Sequence, residues 1–168
     1  MYDKFKEFDN AAELNAKAAE LKAAGDETGL KELALENGLD VEDAEDYFDG
    51  AVSELATPIT AALGKIKLEV AEYKVTSTVM DWISLLESWV IEDEELAVSV
   101  KRKDKSITGY IAAIIEYSYK HSVTIDKRIV ELCPAVKKMM NGHPLTIGAS
   151  DRRACMQLIR EYYLGGKS

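Results

Sequence analysis

The sequence has few of the residues that mark secreted and metal-binding proteins. It contains two cysteines, Cys133 and Cys155, which are too few for the disulfide framework of a small secreted domain. Two histidines, His121 and His143, lie in the same third of the chain, but no C-x-x-C pair accompanies them, and the spacing matches no zinc finger or ribbon. We therefore expect a reduced compartment, no bound metal and no cofactor.

Long apolar runs and catalytic signatures are also missing. No apolar segment is long enough to span a bilayer, and residues 1–20 show no signal-peptide pattern. The chain has no glycine-rich phosphate loop, no G-x-S-x-G turn and no Cys/His nucleophile motif. Carboxylate pairs are so abundant that none stands out as an acid–base pair. The sequence predicts a cytoplasmic protein that is not an enzyme and does not associate with membranes.

What the chain has is a strong separation of charge. Residues 1–54 hold 16 acids and 5 bases, whereas residues 101–168 hold 6 acids and 13 bases, within a net charge of −9. The acidic end should repel nucleic acid and could imitate it. The basic end could contact phosphate or an acidic patch on a partner. This distribution favours a binding protein.

Helical periodicity and capping signals predict an all-α fold. In residues 1–50, Asn10 and Asp40 open helices and Gly25 and Gly50 end them, which indicates a small acidic module of three helices after a short helical turn at 2–8. Residues 51–168 should form a bundle-like main domain of several helices with a basic C-terminal face. No strand is expected, although two triplets are β-like, at 123–125 and 145–147.

The apolar pattern predicts the core of the main domain. Ser106 is a suitable N-cap for the most hydrophobic helix in the chain. Two tryptophans lie seven residues apart on an earlier amphipathic helix, predicted at 78–91, where they serve either as core or as a binding surface. The residues that we expect in this core are Trp82, Ile83, Leu86, Ile111, Ile114 and Ile115.

The third predicted helix, which follows Asp40, carries the first group of candidate binding residues. Its apolar positions face inward, so its acids must face outward. They are either a solvated surface that keeps the protein soluble or a surface that imitates phosphates for a basic partner. These acids are Glu42, Asp43, Glu45, Asp46 and Asp49.

The second group of candidates is basic. Lys101, Arg102 and Lys103 follow an acidic helix, and they read either as a capped helix end with a solvated loop or as a patch that binds a partner. Arg152 and Arg153 open the last helix, which ends in two tyrosines. Arginine with tyrosine suits both nucleic-acid and protein contacts, and the same residues could equally serve only to solvate the helix.

Five stretches carry a resemblance to a known family. They are N-A-A-E-L-N-A-K-A-A-E-L-K-A-A-G-D (10–26), L-E-N-G-L-D-V-E-D-A-E-D-Y (35–47), D-E-E-L-A-V-S-V (93–100), K-S-I-T-G-Y-I-A-A-I-I (105–115) and, after a variable insert, D-R-R-A-C-M-Q-L-I-R-E-Y-Y (151–163). Together they resemble small proteins of Firmicutes conjugative plasmids and integrative elements, a group that includes anti-CRISPR inhibitors of Cas9.

The resemblance implies a function and a set of partners. It implies an anti-CRISPR protein of the bacterial host cytosol that binds Cas9, or the complex of Cas9 with guide RNA, and blocks DNA binding or cleavage without catalysis. The acidic face would then act as a DNA mimic. The alternative is an accessory or regulatory protein of a conjugative element, which would bind DNA or a transfer-complex partner through its basic C-terminal face.

Overall fold

The computed structural model describes residues 8–148 and 150–165, so the predicted turn at 2–8 lies almost wholly outside the described residues. Within them the chain is helical apart from one short two-stranded ribbon, which confirms the all-α prediction. None of the helices in this part of the chain is long and apolar enough to cross a membrane.

The first three helices surround a small core. The Asn10 side chain accepts a hydrogen bond from the Glu13 N–H at 2.9 Å and so starts the first helix, while Gly50, at φ +81°, ends the third in the left-handed conformation. This core also takes in Leu55, Ala56 and Ala61, which come after the third helix. The three helices are α1 (Ala11–Ala23), α2 (Glu27–Glu36) and α3 (Val41–Asp49).

Five further helices surround a larger core. The first of them begins at Pro58, where Thr57 caps it and the missing proline N–H costs no hydrogen bond. It packs along the third of the five, and the last of the five packs against the second, third and fourth. These helices are α4 (Pro58–Tyr73), α5 (Thr78–Glu92), α6 (Glu94–Lys101), α7 (Ile107–Lys120) and α10 (Arg152–Leu164).

Two glycines bring the small and the large core into contact. Gly38 follows α2 at φ +75°, and a Cβ at this position would collide with the backbone of Gly64 in α4. A Cβ on Gly64 would in turn collide with the carbonyl oxygen of Asn37. Because neither position has space for a side chain, the two backbones touch directly and α4 belongs to both cores.

Between α7 and α10 the chain forms an appendage, residues 122–148. Val123 pairs with Ile147 and Thr124 with Thr146 in an antiparallel ribbon, so the expectation of no strand is wrong at the two β-like triplets. Each triplet is too short to signal a strand alone, and their pairing depends on two helices that bring them together. The appendage consists of β1 (Val123–Thr124), α8 (Lys127–Glu131), α9 (Pro134–Met140) and β2 (Thr146–Ile147).

The predicted core of the main domain is mostly confirmed. Trp82 and Ile111 are half-buried against it, but the prediction for Ile115 is wrong, because 57% of this residue is exposed. The buried stripe of α7 passes through Tyr110 and Ile114, and the next residue is rotated about 100° away from it. The fully buried members of the predicted set are Ile83, Leu86 and Ile114.

Leu86→Ala should lower the free energy of unfolding by about 2–5 kcal/mol, because the side chain is fully buried in the large core and its removal leaves a cavity. Ile115→Ala is the matched control on an exposed apolar residue, and we expect a change within about 0.5 kcal/mol. Urea unfolding followed by circular dichroism measures both. Equal losses in the two variants would contradict this assignment of the core.

Candidate interaction surfaces

The acidic surface is built on α3. Asp40 and Asp43 form a capping box at its start, in which the Asp40 N–H donates to the Asp43 carboxylate at 3.0 Å. Ala44 and Tyr47 face the small core and are buried. The remaining polar positions point outward, as predicted. All five predicted acids are exposed: Glu42, Asp43, Glu45, Asp46 and Asp49.

One cation partly neutralises this surface. Lys31 lies between Glu27 and Glu45, with 2.7 Å from its Nζ to a carboxylate oxygen of each. Its hydrogen bonds to Glu27 and then to Glu45 raise the pKa of Lys31 above its ordinary value, so the lysine stays charged. The ion pairs found in the described residues involve none of the other four acids of the surface. The acidic face of α3 therefore keeps most of its negative charge.

The structure corrects the placement of Lys101. Both alternatives, a capped helix end with a solvated loop and a partner-binding patch, make it part of an exposed basic segment, but it is the last residue of α6 and only 4% exposed. Its Nζ donates to Oδ1 of buried Asn37 at 3.4 Å, and the Asn37 side chain donates to the Leu33 carbonyl at 2.9 Å. Lys101 lies on the inner face of α6, and its side chain therefore points toward the C-terminal end of α2. Lys101 therefore links the two cores and is not available to a partner.

An ion pair within α4, between buried Lys65 and half-buried Glu69, holds residues 101–105, which we call the basic turn. None of the predictions made from the sequence included this pair. The Lys65 ammonium donates to the carbonyls of Val100 at 3.2 Å, Arg102 at 2.5 Å and Lys105 at 2.6 Å. Val100 and Arg102 lie at the C-terminal end of α6, where a cation suits the helix dipole, and Lys105 lies in the turn that follows. The sequence signal that could have revealed this pair is a lysine on the inward side of a helix, four residues before a glutamate.

Glu69 completes the pair at the start of α7. Its carboxylate accepts from the Ile107 N–H at 2.8 Å, and its other oxygen lies 3.9 Å from the Lys65 Nζ. An anion at a helix N-terminus satisfies a free N–H and suits the dipole. One lysine and one glutamate of α4 thus fix the end of α6 and the beginning of α7.

The other residues of the basic turn differ in exposure. Arg102 is exposed and pairs with Asp104 at 2.9 Å. Lys103 is exposed, and its backbone N–H donates to the Asp9 carboxylate at 2.9 Å. Lys105 is half-buried, where its Nζ donates to the Tyr162 carbonyl at 2.6 Å. Only Arg102 and Lys103 of the predicted patch therefore offer charge to a partner.

Lys101→Ser should cost about 1–3 kcal/mol of stability, because it leaves the buried Asn37 amide oxygen without its donor. The double variant Arg102→Ser/Lys103→Ser should change stability by less than about 1 kcal/mol, since both side chains are exposed. The unfolding temperatures of the single and the double variant measure this difference in stability. If the single and the double variant unfold at the same temperature, Lys101 does not link the cores.

Arg152 and Arg153 lie in the first turn of α10 and are exposed, as predicted. Positive charge is unfavourable at a helix N-terminus, so these arginines do not serve the helix dipole, and the cap comes from Asp151, which accepts from the Ala154 N–H at 2.8 Å. Arg152 lines a shallow cavity of about 520 Å³ beside Trp82. Because both side chains are exposed, the two arginines form a second cationic surface.

The tryptophan helix serves mainly for packing. Trp82 and Trp89 are half-buried against the large core, and the Arg160 guanidinium lies 5.3 Å from the centre of the Trp89 ring. That distance allows a cation–π interaction at the surface. Of the two alternatives for the tryptophans, the structure favours the core.

Candidate metal ligands do not converge in the described residues, where no group of three or more His, Cys, Asp or Glu side chains could hold a metal ion. Cys133 is exposed in the appendage, and Cys155 is buried in the large core. His121 ends α7, where its ring stacks on Tyr117 at 4.0 Å between centroids. Cys133, Cys155 and His121 therefore lie in separate parts of the fold.

The stretches that carry the family resemblance in the main domain form one buried network. Ser99 of α6 donates to the Tyr163 carbonyl, and the Ser106 N–H donates to the Tyr162 hydroxyl at 3.2 Å. The Tyr163 hydroxyl donates to the Ser106 carbonyl at 3.3 Å. These stretches are α6, α7 and α10, and their buried residues belong to the large core.

No family model, curated protein or solved structure matches the chain.

Proposed function

We propose that this protein is a non-enzymatic inhibitor that binds Cas9, or its complex with guide RNA, in the bacterial host cytosol. The family resemblance suggests the target. The structural observation that carries the proposal is the acidic face of α3, which is exposed and only partly neutralised by Lys31. A preformed row of carboxylates can occupy a site that normally holds phosphates.

The charge density of this face supports mimicry of nucleic acid. The nine residues of α3 extend over about 13 Å, at about 1.5 Å per residue. Five carboxylates over that length are one per about 2.7 Å, which is somewhat below the duplex density of one charge per about 1.7 Å but of the same order. Cas9 holds nucleic acid in positively charged channels and reads a short duplex motif with arginines. The acidic face of α3 would block one of these surfaces.

A second candidate function rests on the exposed arginines of α10. Arg152 and Arg153 lie at the basic end of the chain, where an accessory protein of a conjugative element could contact DNA or a transfer-complex partner. In that case the acidic face of α3 would serve only for solubility.

A pull-down with purified Cas9, with and without guide RNA, separates the two functions. Co-elution with Cas9 at physiological salt supports the inhibitor. Retention on a DNA column without Cas9 binding supports the accessory protein instead. A DNA cleavage assay with the same samples then shows whether binding inhibits the enzyme.

A further inference from the structure

The appendage has no core of its own. No residue of 122–148 is buried, and its backbone is held by the β1–β2 pair, by contacts between α8 and α9 and by the Ile125 N–H, which donates to the Leu145 carbonyl at 2.8 Å. Segments below about 40 residues do not usually fold without additional support. Large apolar side chains nevertheless point outward, among them Leu132 at 81% and Met139 at 75% exposure. Clustered exposed apolar side chains mark interaction sites.

The appendage encloses a groove large enough for a peptide. The groove has a volume of about 1200 Å³, which is above the range of about 300–1,000 Å³ that is typical of small-molecule sites. Aliphatic side chains from α8, α9 and the segment before β2 form its walls. These apolar lining residues are Ile125, Val130, Pro134, Met140, Pro144 and Leu145.

The polar lining of the groove is cationic. Its two acids are already paired, Asp126 with Arg128 at 2.8 Å and Glu131 with Lys137. Lys127 and Lys138 also line the groove, and they leave it with a net positive charge. The groove thus combines aliphatic walls with a rim that attracts carboxylates.

We infer that this groove is a docking site for an acidic amphipathic helix of a partner protein. Aliphatic walls accept the apolar face of such a helix, and Lys127 and Lys138 attract the carboxylates beside that face. The inference does not rest on Cas9 as the target, because the groove and the acidic face of α3 have opposite charge and suit different partners.

Two other occupants fit the groove less well. Among the described lining residues the only aromatic ring is that of His143, and there is no Phe, Tyr or Trp, so the groove lacks the series of rings on which successive bases of a single strand stack. The acidic α3 of a second copy cannot supply an apolar face, because Ala44 and Tyr47 are buried in its own core. A partner helix with both an apolar and an acidic face satisfies both features of the groove.

The test uses the full chain as bait for phage-displayed random peptides about 16 residues long, enough for four helical turns. We expect the enriched peptides to carry apolar residues three or four apart and an excess of Asp and Glu. Synthetic copies should bind the wild type in fluorescence anisotropy. The double variant Lys127→Glu/Lys138→Glu should weaken that binding by about tenfold or more. Val130→Asp should also weaken it, because it changes an apolar wall residue and leaves both lysines in place.

A second double charge reversal, Lys17→Glu/Lys74→Glu, is the control, since both lysines lie outside the groove and the total charge changes equally. It should bind the peptides like the wild type. Because the appendage has no buried residue, the groove variants should keep the unfolding temperature of the large core, and so should the control, since neither Lys17 nor Lys74 is buried. Enrichment without acidic residues, or equal affinity of the groove variants, would overturn the inference. So would competition by single-stranded DNA, or a dimer in sedimentation that the groove variants lose.

Discussion

Lys65→Met should lower the free energy of unfolding by about 3–5 kcal/mol, the usual cost of removing one partner of a buried charged pair. Lys65 is 6% exposed and donates to three backbone carbonyls, two at the end of α6 and one in the turn that follows. Methionine keeps the length of the side chain but donates to none of them. It also leaves the Glu69 carboxylate, whose side chain is 12% exposed, without the adjacent cation. Urea unfolding gives the difference.

Lys67→Met provides the control within the same helix. Lys67 is 62% exposed and pairs with Asp40 at 3.1 Å, and exposed pairs contribute at most about 1 kcal/mol. Comparable losses for the two variants would show that Lys65 does not anchor the turn. A further check is the binding of Cas9, which Lys65→Met should weaken only by unfolding the protein, since this lysine lies beneath the surface.

Neutralising the acidic face of α3 should weaken Cas9 binding by about 10²-fold. Four exposed charge contacts at about 0.2–1 kcal/mol each would add to a loss of a few kcal/mol, and about 1.4 kcal/mol corresponds to a factor of ten. The effect should shrink as salt rises, because the contacts are screened. Calorimetry or interferometry measures the affinity. The substitutions, which keep side-chain size, are Glu42→Gln, Asp43→Asn, Glu45→Gln and Asp46→Asn.

A matched control removes the same number of exposed carboxylates elsewhere. If total negative charge alone drives binding, this control should weaken it equally, which would contradict a role for α3 in particular. If neither set of substitutions changes the affinity at physiological salt, the interaction surface lies outside the acidic face of α3. The control substitutions are Glu20→Gln, Glu72→Gln, Glu116→Gln and Glu161→Gln.

Local signals in the sequence determine much of this fold. Asn10, Ser106 and Asp151 start helices because each side chain satisfies a backbone N–H of the first turn, and such a contact lies within four residues. The acids of α3 were predictable for the same reason, since the apolar positions of one short helix define its outer face. A surface on a single helix can therefore be predicted from the sequence.

The parts that could not be predicted depend on contacts between distant residues. Lys101 has the sequence context of an exposed helix end, but it is buried, and its ammonium group donates to Asn37, which lies next to the Gly38–Gly64 contact. The ribbon of the appendage likewise joins two triplets more than twenty residues apart. The charge of a residue and its position on a helix face do not show which distant element packs against it.

The most direct test of the proposed mimicry is the affinity of target DNA for the Cas9–guide RNA complex at increasing concentrations of this protein. If the acidic face of α3 occupies a nucleic-acid site, the apparent Kd of the DNA should rise in proportion to the concentration of the protein. The variant with a neutralised α3 should raise it far less. An unchanged DNA affinity, with the protein shown to be bound to the same complex, would contradict the proposal.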